Sequence, residues 1–422
     1  MSAADLRSIR RRFYLLLTLR FVPTGLFVTV FVLLMLERGL SLAQIGLGTA
    51  AQGVVMLFLE LPSGGLADAL GRKPVLILAT LFSIAAMSLL LVADTVWLLA
   101  IVSALQGVFR ALDSGPLEAW FIDASIAADR DVDIERGLSR QNVVICTSIG
   151  LGAMLGGLIG STDGVFNVNP LVVPIALGLV LQVVGLVAII TLMHEVRAGS
   201  GWAAARQSIA TVPDVIRGAV RLIHASSLLT ALVVAELLWG FGMIAFEVFL
   251  PPRLAEVSGG VEEATRLLGP AITVAWVLSG VGAACAPWLV RRFGSAVAGC
   301  TLRFVQGGTV VAMGLAAGPA GLIVAYLANY WAHGATAPVH YGMVHRAVEA
   351  SHRATVVSAN SLTSQVGGAL SGILLGALAD ATSITTAMLV AGVFLAAAGP
   401  LYLVGRSTSS PAIIAPVDVP AA

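Results

Sequence analysis

The chain has 422 residues, of which 58% are hydrophobic and 11% charged, and its formal net charge is +1. Soluble domains carry roughly 25% charged residues, so this composition predicts an all-α integral membrane protein and excludes a large soluble domain. So small a net charge gives no reason to expect a nucleic-acid partner.

The N-terminus imitates a signal peptide, with Arg7 to Arg12 ahead of the apolar stretch Phe13 to Leu19. Arg20 interrupts that stretch and the apolar pattern then continues to Leu36, which reads as an uncleaved first helix. A bilayer crossing needs about 20 mostly apolar residues. On that measure twelve spans are expected, near 14–36, 42–63, 74–93, 96–118, 139–160, 170–193, 228–250, 267–290, 295–317, 320–344, 355–379 and 383–405. Pro287 and Pro338 lie inside spans, where neighbouring helices satisfy the freed backbone groups.

Segment 194–227 separates two sets of six spans. Within it, Ala203 to Ile223 places apolar residues at helical spacing between Arg206, Arg217 and Arg221, the pattern of an amphipathic interfacial helix. The expected organisation is therefore an N-terminal six-helix half over 1–193, the linker 194–227, a C-terminal six-helix half over 228–405 and a disordered Ser/Pro/Ala-rich tail over 406–422. Two correspondences suggest duplicated halves: Gly64 with Gly282, 218 positions apart, and Gly150 with Gly367, 217 apart.

Lys73 is the only lysine among the 24 cations. Arg20, Arg110 and Arg303 lie within spans; Arg38, Arg253 and Arg266 lie on one side, and all the others on the opposite side. That bias makes the populated side cytoplasmic, with both termini there, in a multi-pass protein of the plasma membrane. Cys146, Cys285 and Cys300 have no metal-ligand spacing and read as packing residues. The acidic stretch Asp129-Arg130-Asp131-Val132-Asp133 lacks a second cluster or a convergent histidine and reads as a solvated connector, so no metal and no cofactor is expected. No phosphate-binding loop, zincin motif or nucleophile elbow is present, which argues against an ATP-driven pump and against a membrane enzyme.

The sharpest local signal is Gly64-Gly65-Leu66-Ala67-Asp68-Ala69-Leu70-Gly71-Arg72-Lys73, expected to be a loop between the second and third spans. Gly64, Asp68, Gly71, Arg72 and Lys73 match every fixed position of the loop signature of the major facilitator superfamily, which this chain resembles over nearly its whole length. Ala69 stands where many members carry Arg. Helix five carries Gly152-Ala153-Met154-Leu155-Gly156-Gly157, similar to the antiporter motif of drug exporters but with Ala153 in place of proline. Gln106-Gly107 resembles the helix-four signature, though Ser103 replaces its usual arginine.

The resemblance implies a secondary transporter working by alternating access, with helices one, four, seven and ten around a central cavity. Ionisable residues inside spans mark functional sites by default. Arg20 in helix one, Arg110 and Asp113 in helix four and Glu236 in helix seven are the candidates for a charged network that binds substrate or a proton; a static ion-pair network is the competing reading. Trp239 and Phe241, Tyr330 and Trp331 are candidate stacking surfaces, and Asn329, His333 and His340 add polarity to helix ten. The function these features suggest is proton-coupled efflux of a small apolar or amphipathic compound, of the kind that confers multidrug resistance, by a monomer in the lipid bilayer. Import of a small nutrient is the alternative within transport. The resemblance also assigns Asp68 a latch role: holding the N-terminus of helix eleven, near Thr355, while the cytoplasmic side is closed.

The topology has a direct check. A cysteine introduced at Ser200 is expected to be shielded from an impermeant thiol reagent in intact cells, and one at Gly164 to be labelled. Labelling of both at equal rates overturns the orientation.

Overall fold

The structure, a computed structural model, describes residues 3–129, 132–162, 168–195, 217–218, 220–349 and 352–406. Its helices are α1 (Ala3–Glu37), α2 (Leu42–Leu70), α3 (Arg72–Leu90), α4 (Val96–Asp113), α5 (Pro116–Ala128), α6 (Ile134–Gly160), α7 (Val172–Leu192), α8 (Ser227–Glu247), α9 (Leu250–Ser258), α10 (Val261–Phe293), α11 (Ser295–Leu315), α12 (Pro319–Ala347), α13 (Arg353–Ala381) and α14 (Ile384–Ala397), followed by a 3-10 turn over Pro400–Arg406. Among the described residues, eleven helical segments are long and apolar enough to cross a membrane. Their outward surfaces carry exposed Phe58, Trp97, Val143, Leu158 and Val324, as a lipid-facing surface should. The polar exception is α12, with Asn329, His333 and His340, which packs between α10 and α11.

Several expected spans are longer, or broken. The fourth runs from Val96 to Ala128, interrupted at Ser114-Gly115, where Gly115 has φ 106° and Pro116 opens α5. The seventh runs from Ser227 to Ser258, interrupted between α8 and α9, where Pro251 and Pro252 fall in the first turn of α9. Proline is accepted there because the first helical N–H groups have no partner within the helix. The expected glycine-marked loop is mostly helix: α2 continues through Leu70, α3 starts at Arg72, and Gly71 alone (φ 95°) makes the corner. The interfacial helix expected over 203–223 lies mainly outside the described residues; 220–225 is helical. Cys146, Cys285 and Cys300 form no disulfide.

The internal repeat is visible in how backbones touch. A Cβ on Gly25 of α1 would fall 2.1 Å from the Ile149 carbonyl oxygen of α6, and one on Gly240 of α8 would fall 2.1 Å from that of Ser364 in α13. Likewise Gly152 meets the Val22 carbonyl at 2.1 Å and Gly367 meets that of Leu237 at 2.3 Å. All four correspondences are 215 positions apart. Arg38 and Arg253 keep the same offset and the same task. Arg38 clamps the carbonyls of Leu90, Leu91 and Ala93 at the end of α3; Arg253 clamps those of Gly314 and Ala316 at the end of α11. The sequence-based pairings of Gly64 with Gly282 and Gly150 with Gly367 were misregistered. Gly367 answers to Gly152, and the corner Gly71 answers to Gly294, whose φ/ψ of 77°/154° nearly repeats its 95°/153°.

Contacts between the halves concentrate towards one face. In the α2–α13 pair, Gly46 lies against Gly372 and Ala43 against Gly376; in the α6–α10 pair, Gly157 lies against Gly269 and Gly160 against Thr265. These are the ends reached by the connections at 38–41, 161–171, 259–260 and 382–383, the face with few cations. Towards the opposite, basic face the smaller apolar clusters each stay within one half, while Glu60 of α2 and Ser361 of α13 share a side-chain hydrogen bond across the halves. The tightest backbone contacts between the halves lie towards the cation-poor face.

Gly240→Ala is expected to lower stability by about 1–3 kcal/mol through overpacking, whereas Gly280→Ala, where a Cβ meets nothing within 4 Å, is expected to be silent. Thermal unfolding in detergent distinguishes them.

Candidate functional site

The intramembrane charges fall into three groups, of which the third is linked to the first, because Arg110 is a charge neighbour of Arg20 and Asp113. In the N-terminal half, Arg20 of α1 pairs with Asp113 of α4, whose side chain is only 4% exposed. The pair borders a small cavity of about 30 Å³ inside that half, lined also by Leu76, Thr80, Phe109 and Gln182. Asp113 therefore sits at membrane depth, held there because α5 carries the span onward beyond it.

In the C-terminal half, Glu236 of α8 is buried against Arg303 of α11 (Oε2–Nη2 3.3 Å) and lies 3.6 Å from Nε2 of His340 on α12. Arg303 also donates to Oε1 of Gln306 (3.0 Å) and lies over the rings of Trp239 and Tyr402. The His340 ring bonds the Tyr402 hydroxyl (2.8 Å) and the Asn360 amide. This network ties α8, α11, α12, α13 and the final 3-10 turn together. Glu236 is 5% exposed within it, so the acid expected on the cavity wall lies in the interior of its own half.

The third group spans the halves. Arg110 of α4 and Glu247 at the end of α8 are both solvent-accessible, although each belongs to a membrane span. Each is the other's leading opposite charge, and Glu60 of α2, beside Ser361 of α13, is a further acidic neighbour of Arg110. No direct bond joins Arg110 to Glu247. A polar side chain that is accessible at membrane depth faces water inside the protein, so these residues mark a cavity between the halves. On the C-terminal side, half-buried Trp239, His333 and Trp276 are backed by buried rings: Trp239 stacks over His333 (5.6 Å between centroids), His333 lies beside Tyr330 (5.7 Å), and Tyr330 beside Tyr326 (4.8 Å), Phe246 (5.8 Å) and Trp276 (6.1 Å). Glu247 is also a charge neighbour of Tyr326 and Tyr330. Phe241 instead packs on Phe394, and Trp331 against the cluster around Ala286 and Leu302.

Glu60 and Glu247 are the residues that sequence reasoning passed over. Ending the second span at 63 and the seventh at 250 placed both near an interface. The helices continue to Leu70 and Ser258, which moves both acids inward. The signal was present: an acid within an apolar run, followed by a proline that does not end the span, since Pro62 lies inside α2 and Pro251 and Pro252 open α9.

At the basic face, the N–H groups of Arg72 and Lys73, which open α3, donate to the two carboxylate oxygens of Glu195 at 2.8 and 2.9 Å. Arg72 pairs with Asp123 of α5, and Nζ of Lys73 reaches the Ile190 carbonyl (2.7 Å). These contacts hold α3 to α5, α7 and the residues just after α7, and none reaches the C-terminal half. Gly64 and Asp68 are in the helical backbone of α2, but their side chains lie outside the described residues. Among the described residues no group of His, Cys, Asp and Glu is arranged to hold a metal ion.

The family profile described as Major Facilitator Superfamily matches residues 13–330. The chain belongs to the major facilitator superfamily. No curated protein sequence matches it. Among solved structures, it is similar to the nucleoside transporter NupG, with 13% identity, a TM-score of 0.74, and coverage of 94% of this chain and 98% of that one. It is also similar to a bacterial homologue of the human lysosomal transporter Spinster, solved in an inward-facing, unoccupied conformation, with 16% identity, a TM-score of 0.72 and coverage of 96% and 98%. Identities this low establish the fold alone. A member of this superfamily is a multi-pass membrane transporter of small molecules, and the cavity between its two halves is the natural place for the cargo.

The Glu236–Arg303 pair yields a test. Arg303→Met leaves a carboxylate buried without its cation and is expected to cost about 3–5 kcal/mol of stability. Adding Glu236→Gln to that variant is expected to recover most of the loss, measured by thermal unfolding. Additive losses in the double variant would show that the two side chains do not act as a pair.

Proposed function

We propose that the protein moves a small amphipathic organic compound across the plasma membrane by alternating access, exporting it in exchange for protons. The observation that supports this reading best is the facing of Arg110 and Glu247. A cation from one half and an acid from the other stand unbonded across a water-accessible cavity, beside an aromatic wall. The rings would take the apolar part of the cargo. The acid would exchange a proton as its distance from Arg110 changes between conformations, because a neighbouring cation favours the carboxylate and its withdrawal favours the neutral acid. The partly matched antiporter motif supports the export direction, and two of its glycines, Gly152 and Gly157, fasten α6 to α1 and α10. On this reading the halves are 1–193 and 228–405, the segment 194–227 joins them in the cytoplasm, the basic face is cytoplasmic, and the conformation is inward-open.

The reading is tested with ethidium as an amphipathic probe. Inverted vesicles containing the protein are expected to accumulate ethidium when acidified inside, and not after the gradient is collapsed. Glu247→Gln is expected to abolish gradient-driven accumulation while ethidium binding persists. Glu236→Gln is expected to lower thermal stability and leave the pH dependence of transport in place. If instead Glu236→Gln removes the pH dependence and Glu247→Gln does not, the coupling acid is Glu236. Accumulation unaffected by the gradient in the unmodified protein overturns proton coupling.

A further inference from the structure

The first turn of α2 is capped from the other half of the molecule. An α-helix begins with N–H groups that have no partner inside the helix. In α2, the N–H of Gln44 is taken by the Ser41 side chain in a capping box. The two preceding N–H groups, of Leu42 and Ala43, donate to Oδ1 and Oδ2 of Asp380 at 3.1 and 2.9 Å. Asp380 belongs to the last turn of α13, in the C-terminal half. The halves are also joined by the bond between Thr273 and the Gly150 carbonyl and by that between Ser361 and Glu60. The two Asp380 bonds fall at the cation-poor face.

The helix pair explains the position. Gly46 lies against Gly372 and Gly53 against Gln365 and Ala369, so α2 and α13 run antiparallel and each ends where the other begins. A carboxylate at the end of either helix therefore meets the positive end of its partner, which stabilises an anion. Asp68 stands in the last turn of α2, at the far end of the same pair.

Accepting the alternating-access reading, we propose that Asp380 is a positioning residue for the transport cycle: its carboxylate locks the cation-poor face shut by gripping the N-terminus of α2, and it must let go for that face to open. The bond joins the two halves, so it exists only in the conformation where this face is closed. In the opposite conformation the N–H groups of Leu42 and Ala43 are solvated at the membrane surface, which makes release possible without stranding buried donors.

The test measures both faces at once. Spin labels at Val168 and Glu262 report the cation-poor face, and labels at Arg140 and His345 the basic one. Asp380→Ala is expected to raise the fraction open at the cation-poor face by about two- to fivefold, the Boltzmann equivalent of an exposed charge–helix interaction, with a matching closure of the basic face. Asp380→Glu, which keeps the charge, is expected to restore much of the original distribution. Leu42→Pro attacks the same bond from the other side. It deletes one donor at the helix position that accepts proline, and Ser41 already has the extended backbone (φ −76°, ψ 164°) that a residue before proline needs. It is read against Leu42→Ala, which loses the side chain but keeps the donor. Distance distributions unchanged in both Asp380→Ala and Leu42→Pro overturn the lock. So does a drop in thermal stability with both faces broadening together, which would make Asp380 an ordinary cap. Neither outcome depends on cargo or protons, so the lock and the proposed coupling fail separately.

Discussion

The structure depends on backbones that touch. Inside a bilayer no hydrophobic force drives one helix onto another, because lipid is as apolar as leucine, and association rests on close packing and on hydrogen bonds. At Gly25, Gly152, Gly240 and Gly367 the facing carbonyl leaves no space for even one carbon atom. These crossings bind helices within each half. Gly46 on Gly372 and Gly157 on Gly269 bind one half to the other, towards a single face. The joint also buries apolar side chains of both halves in one core, Leu33 and Leu34 with Phe246 and Phe249 among them, and its polar bonds include the Thr273 bond, the Ser361–Glu60 bond and the pair made by Asp380.

That division explains where charge is tolerated. Arg20 with Asp113, and Glu236 with Arg303, are enclosed within one half each, and they stay matched however the halves move. Arg110 and Glu247 are placed so that only the relative position of the halves decides whether they meet. An ion pair inside a rigid body supports that body; a cation and an acid on opposite bodies respond to the motion between them. The motif residues Arg72 and Lys73 are likewise bound into one body, with Glu195 closing the N-terminus of α3 and Asp123 holding the Arg72 side chain.

The membrane class, the order of the spans and the family were legible in the sequence because hydropathy and one well-matched motif carry them directly. The site was legible only in part. Arg20, Arg110, Asp113 and Glu236 stood out as charges in apolar runs, but helical periodicity does not say which neighbour each will face, so the three groups read as one. Glu60 and Glu247 were hidden by span ends set too early, since a proline after an acid reads as an end, whereas Pro62 lies inside α2 and Pro251 opens the next helical segment. The loop around Asp68 read as a loop because glycine and charge usually mark one; in a helix end packed by neighbours, tertiary contact outweighs that preference. The repeat was visible, but its register was not. Glycines are too frequent here to align by themselves, and only the carbonyl each one touches identifies its counterpart.

With the register known, the halves can be compared at the level of chemistry. The 215-residue offset holds across α1 and α8, and places Arg20 opposite Ala235, one residue before Glu236. In the helix that follows α3 or α11 the offset is 227: Gly107 faces the Gln52 carbonyl, as Gly334 faces that of Ser279. That offset places Asp113 opposite His340. Both halves therefore put a polar pair between their first and fourth helices at matching depth, with the signs exchanged: cation and acid in one, acid and histidine in the other. Arg110 and Glu247, by the same offsets, stand opposite Ala337 and Val32, so neither is repeated. Duplication accounts for the scaffold and for a polar fastening inside each half. The two charges that face each other across the cavity were added once each, and asymmetry of that kind is what a site needs if it is to treat its two walls differently.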